Sequence, residues 1–138
     1  MGRHTQFTYA ATQMALRDAH FDPRVDRINS VLPVCIGVSS SAFDVIESGA
    51  RELQGRGAHR INSGMVRNCQ PQAAALLIAQ KLGVQTQAST ISSACNSGID
   101  AVASAATMIR TADVEIAIAG ARMIRSRRWR WRAWLRPV

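Results

Sequence analysis

No run of apolar residues in this 138-residue chain approaches the roughly 20 that a membrane-crossing helix needs. Nor does its start carry the basic stretch followed by an apolar core that directs secretion. Cysteine is scarce. The three present, at 35, 69 and 95, show no metal-ligand spacing and make no even set for a disulfide framework. These absences exclude a spanning protein, a disulfide-stapled secreted module and a cysteine-built metal site. Free thiols in a reducing cytoplasm are the expectation, with no metal and no cofactor. What is present is an ordinary globular balance, 47% hydrophobic and 19% charged, long enough for one domain.

The net charge of +8 suggests nucleic acid until its placement is read. Seven of the 17 basic residues lie between Arg122 and the end, where there is no acid, leaving ten against all nine acidic residues before it. A nucleic-acid groove spreads its charge over a folded face; here the charge belongs to one terminus. All three tryptophans lie in the same segment, interleaved with arginine. That interleaving suits an anionic membrane or a nucleic acid. The abrupt change of composition after a well-patterned strand reads instead as a frame-shifted or disordered tail over 122–138, so neither membrane nor nucleic acid is expected as a partner.

Residues 1–121 alternate in pattern. Apolar positions 7, 10, 11, 14, 15 and 19 form a helical stripe and predict a helix over 7–19. The β-branched run 31–39 predicts a buried strand, with Pro33 at its entrance. A short helix is expected over 42–54 and a glycine- and arginine-rich loop over 55–68. Pro71 to Leu82 predicts a helix closed by Gly83. Residues 85–94 read as a strand with an unusually polar middle, 96–109 as a helix rich in small residues, and 112–120 as a strand. Helix and strand in alternation imply an α/β fold with a parallel or mixed sheet and helices on its faces.

Cys95 stands where a strand pattern gives way to a helix pattern, in Ser-Ser-Ala-Cys-Asn-Ser-Gly at 92–98. The free N–H groups and positive dipole end of the following helix favour a thiolate there. The sharp turn pushes the sulfur off the sheet edge, as in other strand–nucleophile–helix arrangements. Ser97 and Gly98 are candidates for substrate binding, their small size keeping the first turn slim so that a long substrate can approach. Position alone is a weak signal, because free cysteine is more often packing than catalysis. Cys69 also precedes a helix.

Around Cys95 the sequence resembles the β-ketoacyl-acyl-carrier-protein synthases, the elongating condensing enzymes of the thiolase fold. Ser93-Ala94-Cys95-Asn96-Ser97-Gly98 is close to the family's Thr-Ala-Cys-Ser-Ser-Gly. The helix with Ala101, Ala105, Ala106 and Ile109 has its small-residue face, and Asp113 to Gly120 resembles its Asp-x-x-(apolar)-x-(apolar)-Ala-Gly-Gly strand. Gln6-Phe7 with Ala10, Ala11, Ala15, Leu16 and Ala19 is similar to its early helix, and Ile36-Gly37-Val38 to the strand before its Ser/Thr-rich loop. The resemblance covers about residues 3–121.

It implies a thiolase-like half domain over 1–121, incomplete at both ends. It implies an acyltransferase in which Cys95 takes an acyl group from acyl carrier protein, whose phosphopantetheine carries the acyl and malonyl groups of fatty-acid or polyketide synthesis. The Cys95 backbone N–H would be an oxyanion donor, and the strand before the nucleophile would pair across a homodimer axis. The family's two histidines and its lysine match no position here: His4, His20 and His59 fall outside its motifs and read as surface or structural residues. The chain alone is therefore expected not to condense. Two other readings stay open: a non-catalytic module binding through the Arg/Trp tail, and another acyltransferase of the same fold.

Overall fold

The computed structural model describes residues 2–26, 31–40, 42–111 and 114–122. Its elements run α1 (Arg3–Asp18), β1 (Leu32–Val38), α2 (Phe43–Arg56), α3 (Met65–Cys69), α4 (Ala73–Leu82), β2 (Thr86–Ile91), α5 (Ser97–Arg110) and β3 (Ile118–Arg122). The expected α/β alternation is present, with α3 an addition in a stretch whose glycines and arginines read as loop. The three strands form one parallel sheet in the order β2-β1-β3.

β1 is buried along its whole length, as its unbroken apolar sequence requires of a central strand. Side chains alternate across a strand. Leu32, Val34, Ile36 and Val38 accordingly meet Ala75, Ile78 and Leu82 of α4, with Tyr9 and Leu16 of α1 alongside. Cys35 points the other way and meets Ala101 and Ala105 of α5. Helices thus cover both faces of the sheet. Pro33 lies inside β1 rather than ahead of it, paired with Gln87 of β2. Its missing N–H is tolerated because β3 joins β1 only from Val34 onward.

β2 is an edge strand paired with β1 alone among the described residues, and it is mostly half-buried. That position accounts for its polar middle. β3 begins at Ile118, later than the 112–120 pattern suggested, and it ends on Arg122 opposite Val38. The first arginine of the basic segment therefore belongs to the sheet. It is buried, and its guanidinium donates to the Pro71 carbonyl at 3.1 Å. The rest of that segment, 123–138, lies outside the described residues.

α4 closes as its sequence predicts, with Gly83 left-handed at φ 71°. The Arg24 guanidinium donates to the carbonyls of Leu82 (3.1 Å) and Lys81 (2.9 Å), satisfying acceptors that a helix end leaves free.

α1 does not bury its apolar stripe. Phe7 is 61% exposed and Met14 69%, while His4, Thr5, Thr8 and Thr12 are buried. The hydroxyl of Thr8 donates to the His4 carbonyl at 2.8 Å and that of Thr12 to the Thr8 carbonyl at 2.9 Å. Each of these two hydroxyls, spent on the preceding turn, leaves a methyl group for the protein interior, so Thr8 and Thr12 can be buried; the Thr5 hydroxyl has no hydrogen-bond partner among the described residues. The apolar stripe flanks a cavity of about 380 Å³ between α1 and β3, lined by Phe7, Ala11, Ala15 and Ile118 among others.

Candidate active site

Strand β2 delivers the chain to the carboxyl edge of the sheet at Ile91, and α5 leaves from Ser97. Between them, Ser93 stands at φ −132° and ψ 47°, outside the extended region, and Ala94 takes the left-handed conformation at φ 52°. A single 3-10 turn, Ala94–Asn96, then leads into the helix. A side chain in the left-handed region costs about 1 kcal/mol or more, because its Cβ crowds the next carbonyl. Cys95 follows at once and is exposed, on the outer side of the turn.

Ser97 holds this turn. It is 2% exposed, and its hydroxyl accepts from the Ser93 N–H at 2.9 Å while donating to the Ala94 carbonyl at 2.6 Å. One oxygen thereby bridges both sides of the strained residue. The Ser93 hydroxyl in turn donates to the Asp100 carboxylate in the first turn of α5.

Beneath the turn, Gly37 of β1 lets the helix start touch the sheet. A Cβ at Gly37 would lie 2.2 Å from the Ser97 carbonyl oxygen and 2.8 Å from the Gly98 nitrogen. A Cβ at Gly98 would lie 2.8 Å from that of Ala121 on β3. The small residues at 97 and 98 were expected to clear a path for substrate. The structure instead places the Ser97 side chain inside the turn and Gly98 against the sheet.

The other two thiols are differently placed. Cys35 is buried in the core, where it accepts a hydrogen bond from the Ser89 hydroxyl at 3.3 Å. Cys69 is the last residue of α3, not the first of the next helix, and its thiol donates to the Val66 carbonyl at 3.1 Å. Of the three, Cys35 is buried, Cys69 half-buried and Cys95 exposed. Sequence reasoning singled out Cys95, Ser97 and Gly98 and gave no role to Ala94, Ser93, Asp100 or Gly37. Only Gly37 had left a signal: an isolated glycine in an apolar strand marks a close backbone approach.

His20 and His59 are exposed. His4 is not: it is 1% exposed, neither ring nitrogen has a hydrogen-bond partner among the described residues, and Nδ1 lies 3.6 Å from Asp44. Burial holds its pKa below the ordinary 6.5; the Arg122 guanidinium adds to that, and Asp44 opposes it. His4 is therefore neutral in the folded chain, and the unfolded chain takes up its proton first as pH falls. Its contribution to stability is complete above about pH 6.5 and is lost below it, by at most about 1.4 kcal/mol per pH unit. Urea midpoints for the parent and H4Q at pH 7.5 and 5.5 check this. The parent should lose more on acidification than H4Q, and equal losses would contradict it.

Residues 1–136 match the family described as the β-ketoacyl synthase N-terminal domain, a span that includes most of the basic segment. The chain is 31% identical over 121 residues to Nodulation protein E of Rhizobium sp. (strain N33), covering 87% of this chain and 30% of that protein. It is 32% identical over 127 residues to Putative polyketide beta-ketoacyl synthase 1 of Streptomyces halstedii, covering 86% and 29%. The ishigamide ketosynthase/chain length factor shares the fold at a TM-score of 0.80 and 24% identity, over 92% of this chain and 32% of that one. The chain thus spans about three tenths of the length of these proteins.

Proposed function

The chain belongs to the β-ketoacyl synthase family through its N-terminal domain, and from that premise we propose that Cys95 is its acyl-accepting nucleophile. The observation that carries this reading is the placement of Cys95 between β2 and α5, exposed on a strained turn at the carboxyl edge of the sheet. The start of α5 brings the positive end of a helix dipole to this turn, which favours a thiolate and developing negative charge.

The reaction is a thioester exchange. Cys95 sulfur attacks the acyl carbonyl carried on the phosphopantetheine thiol of acyl carrier protein. A new carbon–sulfur bond forms to Cys95, the old one breaks, and the Cys95 proton ends on the released carrier thiol. The Cys95 N–H stabilises the oxyanion between these events. In the whole enzyme, loss of carbon dioxide from a malonyl thioester then supplies the carbanion that attacks the acyl–Cys95 thioester, forming the β-ketoacyl product and freeing Cys95.

The condensing step belongs to the whole enzyme, since no histidine or lysine here matches the family's partners. The product enters fatty-acid or polyketide synthesis. The outer edge of β2, which no strand among the described residues covers, suits pairing with a second copy, and an active free thiol suits a reducing cytoplasm. Among the described residues, no helix is long and apolar enough to cross a membrane.

Incubation of the full chain with acyl carrier protein bearing an acyl thioester, followed by peptide mass mapping, tests the reading. One acyl mass should appear on the peptide containing Cys95 and disappear in C95A. Acylation that persists in C95A would sink it.

A further inference from the structure

We propose that Ser97 is a positioning residue for the acyl-transfer step, acting by holding Ala94 in its left-handed conformation so that Cys95 and its backbone N–H face the incoming carbonyl. The inference rests on the reading of Cys95 as acyl acceptor and goes beyond it, because Ser97 is buried and its hydroxyl is bonded to backbone groups of the turn.

Three observations meet at this residue. Ala94 stands at φ 52° with a Cβ, a conformation that persists only where its surroundings impose it. The Ser97 hydroxyl bonds on both sides of that residue, to the Ser93 N–H at 2.9 Å and the Ala94 carbonyl at 2.6 Å. Ser97 is itself immobilised, being 2% exposed with its carbonyl lodged over Gly37, so the hydroxyl cannot follow the turn if the turn relaxes.

Without the hydroxyl, the Ser93 N–H loses its bond to Ser97 and the Ala94 carbonyl keeps the bond from the Ser97 N–H, so the Ala94 peptide planes are held less firmly against rotation toward the ordinary right-handed region. That rotation changes where the Cys95 N–H points. An acyl transfer that needs sulfur and N–H aimed at one carbonyl suffers from such a shift; simple alkylation of an exposed thiol needs no oxyanion donor and does not. The second latch, Ser93 on Asp100, bears on the residue before Ala94; the Ser97 N–H also bonds the Ala94 carbonyl, and the Ser97 hydroxyl is the link that ties that carbonyl to the Ser93 N–H.

The consequence is a coupling between positions 94 and 97. Glycine adopts the left-handed region without a Cβ penalty, so a chain carrying A94G should no longer need the Ser97 hydroxyl.

The test uses the full chain as parent, S97A, A94G and the A94G/S97A double variant. Two rates are read at Cys95 by mass spectrometry: acylation by a short acyl-pantetheine thioester, and alkylation by iodoacetamide. Alkylation of Cys35, which is fully buried, reports loss of the fold in the same sample. S97A is expected to acylate about tenfold more slowly than the parent, with iodoacetamide alkylation changed less than about twofold and Cys35 still protected. In the A94G background the same substitution should change acylation by less than about twofold. If S97A exposes Cys35, recovery of Cys35 protection in A94G/S97A supports the coupling, and exposure in both overturns it. An S97A effect equal in the two backgrounds, or no effect in either, also overturns it. Failure of the parent to take an acyl group on Cys95 brings down the acyl-acceptor reading and this inference together; a parent that acylates at the same rate as S97A brings down this inference alone.

Discussion

G37A is expected to destabilise the chain by about 3 kcal/mol and to slow acylation of Cys95 in whatever fraction remains folded. The added Cβ would sit 2.2 Å from the Ser97 carbonyl oxygen, 2.5 Å from its carbonyl carbon and 2.8 Å from the Gly98 nitrogen. All three are backbone atoms at a helix start, so no rotamer change relieves the overlap. Either α5 lifts off β1 or the strand bends. Lifting α5 would uncover Cys35, Ala101 and Ala105, which form the contact between that helix and the sheet. The same substitution at Gly55, in α2 with no atom near the added Cβ, should leave stability unchanged or raise it by up to about 1 kcal/mol, since alanine is the better helix former. Urea denaturation of the two variants checks the contrast. Equal effects at 37 and 55 would show that the close approach of sheet and helix is not there.

I78A carries the second large effect, about 3 kcal/mol or more of lost stability. Ile78 is fully buried between α4 and the β1 residues Leu32, Val34, Ile36 and Val38. Removing its outer carbons forfeits transfer energy and leaves a void that β1, held by strands on both sides, cannot collapse to fill. Leu76 on the same helix is 50% exposed, and L76A should cost less than about 1 kcal/mol. In a domain whose total stability is of the order of 5–15 kcal/mol, the first change visibly shifts the unfolding midpoint and the second barely does. A larger loss at 76 than at 78 would mean that α4 presents the opposite face to the sheet.

Much of this fold was legible because its central strand and two of its helices obey simple rules. β1 is an apolar run because both its faces are covered, and α4 is bracketed by Pro71 and Gly83 for reasons of backbone geometry. α1 was legible in extent but not in orientation: hydropathy counts threonine as polar, yet Thr8 and Thr12 satisfy their hydroxyls on the preceding turn and go inward. The strand expected at 112–120 misled for a different reason. Its alternation is genuine, but the ladder with β1 starts only where Val34 meets Ile118, just after Pro33, which has no N–H to offer. Helix α3 was hidden by a composition that reads as loop.

At the site, the sequence pointed to Cys95 through its place between strand and helix and through the residues around it. The roles of Ala94 and Ser97 were out of reach, because neither a left-handed φ on alanine nor a hydroxyl bonding across four residues leaves a mark in composition or periodicity. Small residues at 97 and 98 suggested open space for substrate; the structure uses that smallness for close packing of α5 on β1 and β3.

The central claim is that the turn between β2 and α5 makes Cys95 an acyl acceptor rather than merely an accessible thiol. Competition among the three cysteines of the intact chain tests it most directly. With limiting acyl carrier thioester, the acyl group should appear on Cys95 at least about tenfold faster than on Cys69, with Cys35 unlabelled. Equal acylation of Cys95 and Cys69 would contradict the account.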